Sequence, residues 1–127
     1  MSNDIPVISG PGYFDIEVVG ESKYLENFIK ICGPRCEDGV DLVVRAHLVL
    51  DDQNPFDDMA VAIFVDDRPV GFLPRATAHD FRRALSIGGL SEYKVFECQG
   101  HVRGGWDRGN GDCGHYGIWL DLPQDDD

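Results

Sequence analysis

Val40, Leu42, Val44, Ala46, Leu48 and Leu50 fill every even position across eleven residues, with Asp41, Arg45 and His47 among the residues between them. A helix cannot put period-two positions on one face, whereas a β-strand does so by its pleat. The stretch therefore reads as one long strand with an apolar face, and it commits the chain to a sheet.

Partners for that strand are recognisable on both sides in sequence. Residues 60–65, Ala60-Val61-Ala62-Ile63-Phe64-Val65, are apolar throughout, as in a strand buried on both faces. Asp66-Asp67-Arg68 then turns the chain into residues 69–73, a hairpin. Phe14, Ile16 and Val18 alternate with Asp15 and Glu17, which predicts a first strand over 13–19, ended by Gly20. Phe96, Cys98, Gly100 and Val102 alternate over 94–103, and residues 116–122 form the last strand. Tyr24, Leu25, Phe28 and Ile31 are spaced for a short helix stopped by Gly33-Pro34. A clearer helix covers 74–87, with Ala78, Phe81, Ala84 and Leu85 as its apolar stripe and Gly88-Gly89 as its stop. Thr77 and Asp80 have capping-box-like spacing, while Pro74 allows an earlier start.

The sum is a mainly β fold with two short helices, a small OB-like, partly open six-stranded barrel. It occupies one domain over 13–123, between a flexible leader over 1–12 and an acidic, disordered tail over 124–127. A chain of 127 residues with 43% hydrophobic content suits a single domain with a real core. No apolar run approaches a membrane span, and Met1-Ser2-Asn3-Asp4 lacks the basic flank of a secretory signal. A cytoplasmic protein, or a nuclear one in a eukaryote, is expected, with its four cysteines as reduced thiols. Twenty-three acids against eleven bases give a net charge of −12. That charge opposes general attraction to phosphate backbones, so any nucleic-acid role must rest on a local patch and on contacts to ends or bases.

The candidate chemistry sits in the run Asp52-Gln53-Asn54-Pro55-Phe56-Asp57. Pro55 fixes its own φ and pushes Asn54 towards extended geometry, so a stiff loop offers the side chains of Asn54, Phe56 and Asp57. The same residues also suit a structural Asx-type turn, and a site needs such a turn to hold it. Arg75, His79, Arg82 and Arg83 gather on one helical face as phosphate candidates, or as a solvated face near the helix C-terminus. Trp106, in a glycine-rich loop, either stacks a base or folds onto the barrel. Cys32, Cys36, Cys98, His101, Cys113 and His115 are zinc-ligand types without paired knuckles, so neither a metal nor a cofactor is expected. No nucleophile elbow, Walker loop or zincin helix is present, which favours a binding module over an enzyme.

Three pieces taken in order resemble the HIRAN domain family. They are Phe14-Asp15-Ile16-Glu17-Val18-Val19-Gly20-Glu21-Ser22; Asn54-Pro55-Phe56-Asp57 with Ala60-Val61, then Val70-Gly71-Phe72-Leu73-Pro74-Arg75 and Ala78; and Gly117-Ile118-Trp119-Leu120-Asp121-Leu122. The resemblance implies an OB-like barrel and a separate family member about one domain long. Helicase-linked members grip the 3′-hydroxyl end of single-stranded DNA, so the implied partner is such an end, in DNA repair or replication. A helicase or nuclease is the implied protein partner, with no membrane and a monomeric chain. The implied DNA-binding set is Ser22, Lys23, Tyr24, Gln53, Asn54, Phe56, Asp57, Phe72, Arg75 and His79. Within it Phe56 would be the stacking platform, and Asn54 and Asp57 the hydroxyl readers. Ser22 stands where helicase-linked relatives present an arginine, and Lys23 where they present a ring. Phe56 lacks their phenolic hydroxyl, and Phe72 replaces a histidine. Those changes, with the net charge, motivate an alternative: an acidic protein-interaction adaptor on the same barrel that has lost DNA binding.

Overall fold

The computed structural model describes residues 5–34 and 36–123; the first four residues and the tail expected over 124–127 lie outside them. In chain order the elements are β1 (Ile16–Glu17), a 3-10 turn (Glu21–Tyr24), α1 (Leu25–Cys32), β2 (Val40–Asp51), β3 (Ala60–Val65), β4 (Arg68–Phe72), α2 (Arg75–Ile87), β5 (Val95–Gly104) and β6 (Gly117–Asp121). The fold is mainly β, as its patterning implies. Strand β2 is the spine. It pairs with β5 from Val40 opposite Gly104 to Val49 opposite Val95, and its second half pairs with β3. All six strands are antiparallel, in the order β1-β6-β5-β2-β3-β4.

The core explains the even-position patterning. Ala46 and Leu48 of β2, Phe96, Cys98 and Val102 of β5, and Ile118 and Leu120 of β6 point inward and are buried. Phe28 of α1 joins them, stacked on Tyr116 with 5.5 Å between ring centroids. Cys98 shows how dry this interior is: burial, with the nearby Asp121 and Glu97 carboxylates adding to it, pushes its thiol up to about 12. All four cysteines are free.

The two edges of the sheet meet. Val19, just past β1, donates its N–H to the Phe72 carbonyl at 2.8 Å, and Phe72 returns the bond at 2.9 Å. One residue pair thus joins β1 to β4 and curls the sheet into a half-barrel, removing an exposed edge. The turn between β3 and β4 places Asp66 and Asp67 at φ 53° and 62°, the double left-handed geometry of a tight hairpin.

Three local expectations change. The first strand is shorter than 13–19, because Phe14 adopts φ 49° and leaves extended geometry. Its ring thereby meets His101 edge-on, 5.8 Å between centroids. Helix α2 starts at Arg75 behind Pro74, and Thr77 and Asp80 form no cap. Proline is suited to that position because its missing N–H leaves no orphan donor. Ala84, expected on the apolar stripe, is exposed, whereas Ala78 and Leu85 are buried.

The described part of the expected leader lies against the sheet. Glu97 donates its N–H to the Pro6 carbonyl at 2.9 Å, and Ile8 donates to the Glu97 carbonyl at 2.7 Å. Strand β6 pairs with β5 only from Gln99 onward, so the earlier edge of β5 has unpaired backbone to offer. Among the described residues, no helix is long and apolar enough to cross a membrane.

Candidate binding site

The loop between β2 and β3 is built from its own side chains. Asn54 Oδ1 accepts hydrogen bonds from the Phe56 N–H at 2.9 Å and the Asp57 N–H at 3.2 Å. Its Nδ2 donates to Asp51 Oδ2 at 3.1 Å. Asn54 is therefore the Asx hinge of the loop, with its carbonyl oxygen already occupied. Asp57 Oδ1 accepts from the Met59 N–H at 3.0 Å and closes the loop into β3. Phe56, between these two anchors, leaves its ring 91% exposed.

Helix α2 fixes the loop from the side. Arg82 Nε donates to the Met59 carbonyl, Nη2 to the Ala60 carbonyl and Nη1 to Asp52 Oδ1, each at 2.8 Å. Lys94 holds the other oxygen of Asp52 at 3.2 Å. The Arg82 and Lys94 hydrogen bonds keep the Asp52 carboxyl below its ordinary range. Arg82 is thus a staple of the loop rather than a free phosphate contact, and Arg83 pairs with Asp80 at 3.2 Å.

The first turns of α2 complete the site. His79 Nε2 donates to Asp57, 3.1 Å from Oδ2, since an ionised carboxylate only accepts. Arg75 Nε stands 3.6 Å from the same oxygen, and its side chain is largely exposed. The Met59 N–H first, then His79 and Arg75, hold the Asp57 carboxyl below the usual carboxylate range. An exposed ring one residue before an ionised carboxylate, which an imidazole and a guanidinium back, can stack a flat group and accept a hydrogen bond from a hydroxyl.

The remaining expected site residues fall into two places. Phe72 lies half-buried at the barrel seam, three residues before Arg75, with Gly20 against its ring. Gln53 is exposed at the start of the loop. Ser22, Lys23 and Tyr24 line a groove of about 350 Å³ along the 3-10 turn. The structure therefore gathers Asn54, Arg75 and His79 around Asp57, with Phe56 exposed at the loop tip, while residues 22–24 line a separate groove. Trp106 folds onto its own loop: Gly114 packs against its ring and the Arg108 guanidinium sits 5.4 Å from the ring centre.

Sequence reasoning missed two sets of contacts, those of His101, named there only as a zinc-ligand type, and those of Glu21. His101 on β5 bonds to Asp41 through Nε2, while its Nδ1 accepts from Arg103 Nη2 at 2.8 Å, and Arg103 covers Trp119. The outward parity of these residues was legible; their meeting depends on the register of three strands. Glu21 is the other. Its carboxylate accepts the Ile118 N–H at 2.6 Å and ties the 3-10 turn to β6. Burial, with Glu17 adding repulsion, pushes Glu21 up to about 7 against an ordinary 4.5.

That shift fixes the sign of a pH effect. The folded state holds the Glu21 proton more tightly than the unfolded chain does, so its stabilising contribution is complete below pH 4.5 and is lost as pH rises through 7. Glu21→Gln keeps an acceptor for Ile118 and removes the titration. Thermal melts at pH 4.5 and pH 8 are expected to show wild type losing stability relative to Glu21→Gln at the higher pH. Parallel pH curves for the two proteins would rule the effect out.

Among the described residues, no three His, Cys, Asp or Glu side chains converge to hold a metal ion. Comparison with protein families, with curated proteins and with solved structures finds no match to this chain.

Proposed function

We propose that the protein binds the free 3′ end of single-stranded DNA at the β2–β3 loop and the start of α2, as the resemblance to HIRAN domains implies. The exposed ring of Phe56, one residue before the Asp57 carboxylate that Arg75 backs, carries this reading. A terminal base stacks on Phe56, an interaction of about 1–3 kcal/mol that tolerates any base. Asp57 accepts a hydrogen bond from the 3′-hydroxyl and repels a 3′-phosphate, so it selects ends over interior backbone. Arg75, with a largely exposed guanidinium, meets the phosphate that precedes the terminal nucleoside. The context is DNA repair or replication, with a helicase or nuclease acting on the same end.

The charge sharpens the reading. At −12 the chain gains nothing from non-specific phosphate binding, so affinity comes from the end contacts. Titration of a fluorescent oligonucleotide is expected to give tighter binding for a 3′-hydroxyl than for a 3′-phosphate. Its salt slope is expected near that of one or two phosphate contacts, roughly −0.7 for each. Equal affinity for the two ends, or no binding of either at low salt, would remove this function.

A further inference from the structure

The candidate site is ringed by acids as well as cations. Asp51, Asp52, Asp57 and Asp58 stand at the end of β2 and in the loop that follows. The permanent cations paired with them are Arg75, Arg82 and Lys94. Four acids against three cations leave a small negative excess where a strand would approach. Asp52 is the hub of this arrangement. Its Oδ1 accepts from Arg82 Nη1 at 2.8 Å and its Oδ2 from Lys94 Nζ at 3.2 Å. Lys94 is placed by the sheet, since its carbonyl accepts the Leu50 N–H at 2.9 Å and sets the start of β5 beside the end of β2.

The two cations on Asp52 differ in what they can offer a ligand. The Arg82 side chain is 14% exposed, and its other bonds end on the Met59 and Ala60 carbonyls. Lys94 is 62% exposed, and Asp52 is the acid that holds it. An ammonium on a flexible stem is a common phosphate contact, and phosphates run the whole length of a strand whereas ends are few. A free Lys94 would therefore draw the strand interior onto the site in competition with the end. The Asp52 carboxylate, which Arg82 and Lys94 hold below its ordinary range and so ionised, occupies Lys94 and repels any phosphate that would displace it. An exposed pair of this kind contributes little to stability, so its consequence lies in selectivity. Arg75, largely exposed and 3.6 Å from Asp57, is left as the cation of this site most open to a phosphate.

We infer that Asp52 is a specificity-determining residue of the end site: it withholds Lys94 from the strand interior and so confines binding to ends. The inference rests on the DNA-end reading, and adds to it the acid that suppresses binding away from the end.

The test uses the full chain and two probes of one sequence, a linear single-stranded oligonucleotide with a 3′-hydroxyl and the same strand closed into a circle, which has no end. Asp52→Asn keeps an oxygen for Arg82 Nη1, so the loop stays stapled, and removes the charge. It is expected to bind the circle about fivefold more tightly than wild type at low salt, with a salt slope steeper by about 0.7, one added phosphate contact. Preference for the linear strand is expected to fall, because Lys94 can take an interior phosphate in any register. Adding Lys94→Gln to Asp52→Asn is expected to return slope and preference to wild-type values. Asp66→Asn removes the same charge from the β3–β4 turn, at a left-handed φ of 53° that asparagine tolerates, and is expected to change neither. Unchanged circle binding or unchanged preference in Asp52→Asn would overturn the inference. So would a gain that survives Lys94→Gln, or an equal gain in Asp66→Asn, which would make net charge the cause. Wild type binding neither probe, with the circle gained by Asp52→Asn, would sink the end reading and leave the masking of Lys94 in place. No binding by wild type or variant would sink both.

Discussion

Phe56→Ala is expected to weaken binding of a 3′-hydroxyl oligonucleotide by about 5- to 150-fold, the equivalent of about 1–3 kcal/mol of lost stacking. The melting temperature is expected to stay where it is. Phe56 is 91% exposed, so its side chain contributes no packing, and the loop backbone is held by Asn54 Oδ1 whatever residue stands at 56. Phe56→Tyr keeps the ring and is expected to bind at least as well as wild type. Asp57→Asn separates recognition from stacking. An asparagine oxygen can still accept the Met59 N–H, but the neutral amide no longer repels a 3′-phosphate. Affinity for the two kinds of end is therefore expected to converge in that variant. Wild-type affinity in Phe56→Ala would show that the ring is not the platform.

The loop was legible because its information is local. Pro55 and Asn54 announce a stiff turn, and a phenylalanine among five polar neighbours has no core to enter. What the loop does with Asn54 was less legible. The residue types permit both a reader and a hinge, and only the closed geometry shows the carbonyl oxygen spent on Phe56 and Asp57. Arg82 illustrates the same limit. Helical spacing puts it on the face of Arg75 and His79, yet its three donors go to Met59, Ala60 and Asp52, more than twenty residues away. A contact of that range leaves no periodic trace.

The barrel divides in the same way. Period-two alternation reveals β2 and β5 because a whole face must be buried, and the two aspartates at the β3–β4 turn mark the hairpin. The run of residues 6–8 along β5 had no such signal, since it is held by two backbone hydrogen bonds with Ile8 packed against the core, and leaves Val7 exposed. The join between Val19 and Phe72 is a single residue pair, too short to impose a pattern. Phe81 and Ala84 of α2 share a groove with Ile8 and Ile16, a meeting that depends on that wrapping and that no spacing within the helix announces.

Gly71→Ala is expected to open the barrel at this join and to lower stability by about 2–6 kcal/mol. Gly71 has φ 153°, where a side chain is strained, at a typical cost of about 1–3 kcal/mol. A β-carbon there would also fall 2.5 Å from Val18 Cγ1 and 2.5 Å from the Val19 carbonyl oxygen. Neither neighbour can retreat cheaply: Val18 is 1% exposed within the core, and the Val19 carbonyl accepts the Phe72 N–H. Overpacking of that kind adds about 1–3 kcal/mol. Against a typical domain stability of about 5–15 kcal/mol, the sum lowers the melting temperature by roughly 10 °C or more. The site of damage distinguishes this from ordinary destabilisation. Hydrogen exchange at Val19 and Phe72 is expected to accelerate well beyond that of the β2–β5 pairs, because only the seam is forced apart. Gly109→Ala is the matched control, a glycine at φ 83° with open space where its β-carbon would be. It carries the backbone strain without the clash, so a smaller loss with an intact seam is expected. Equal exchange at the seam in both variants would mean that Val19 and Phe72 do not hold the barrel closed. Residues 22–24 would then owe their place to the Glu21 bond with Ile118 and the Asn27 bond with Pro69.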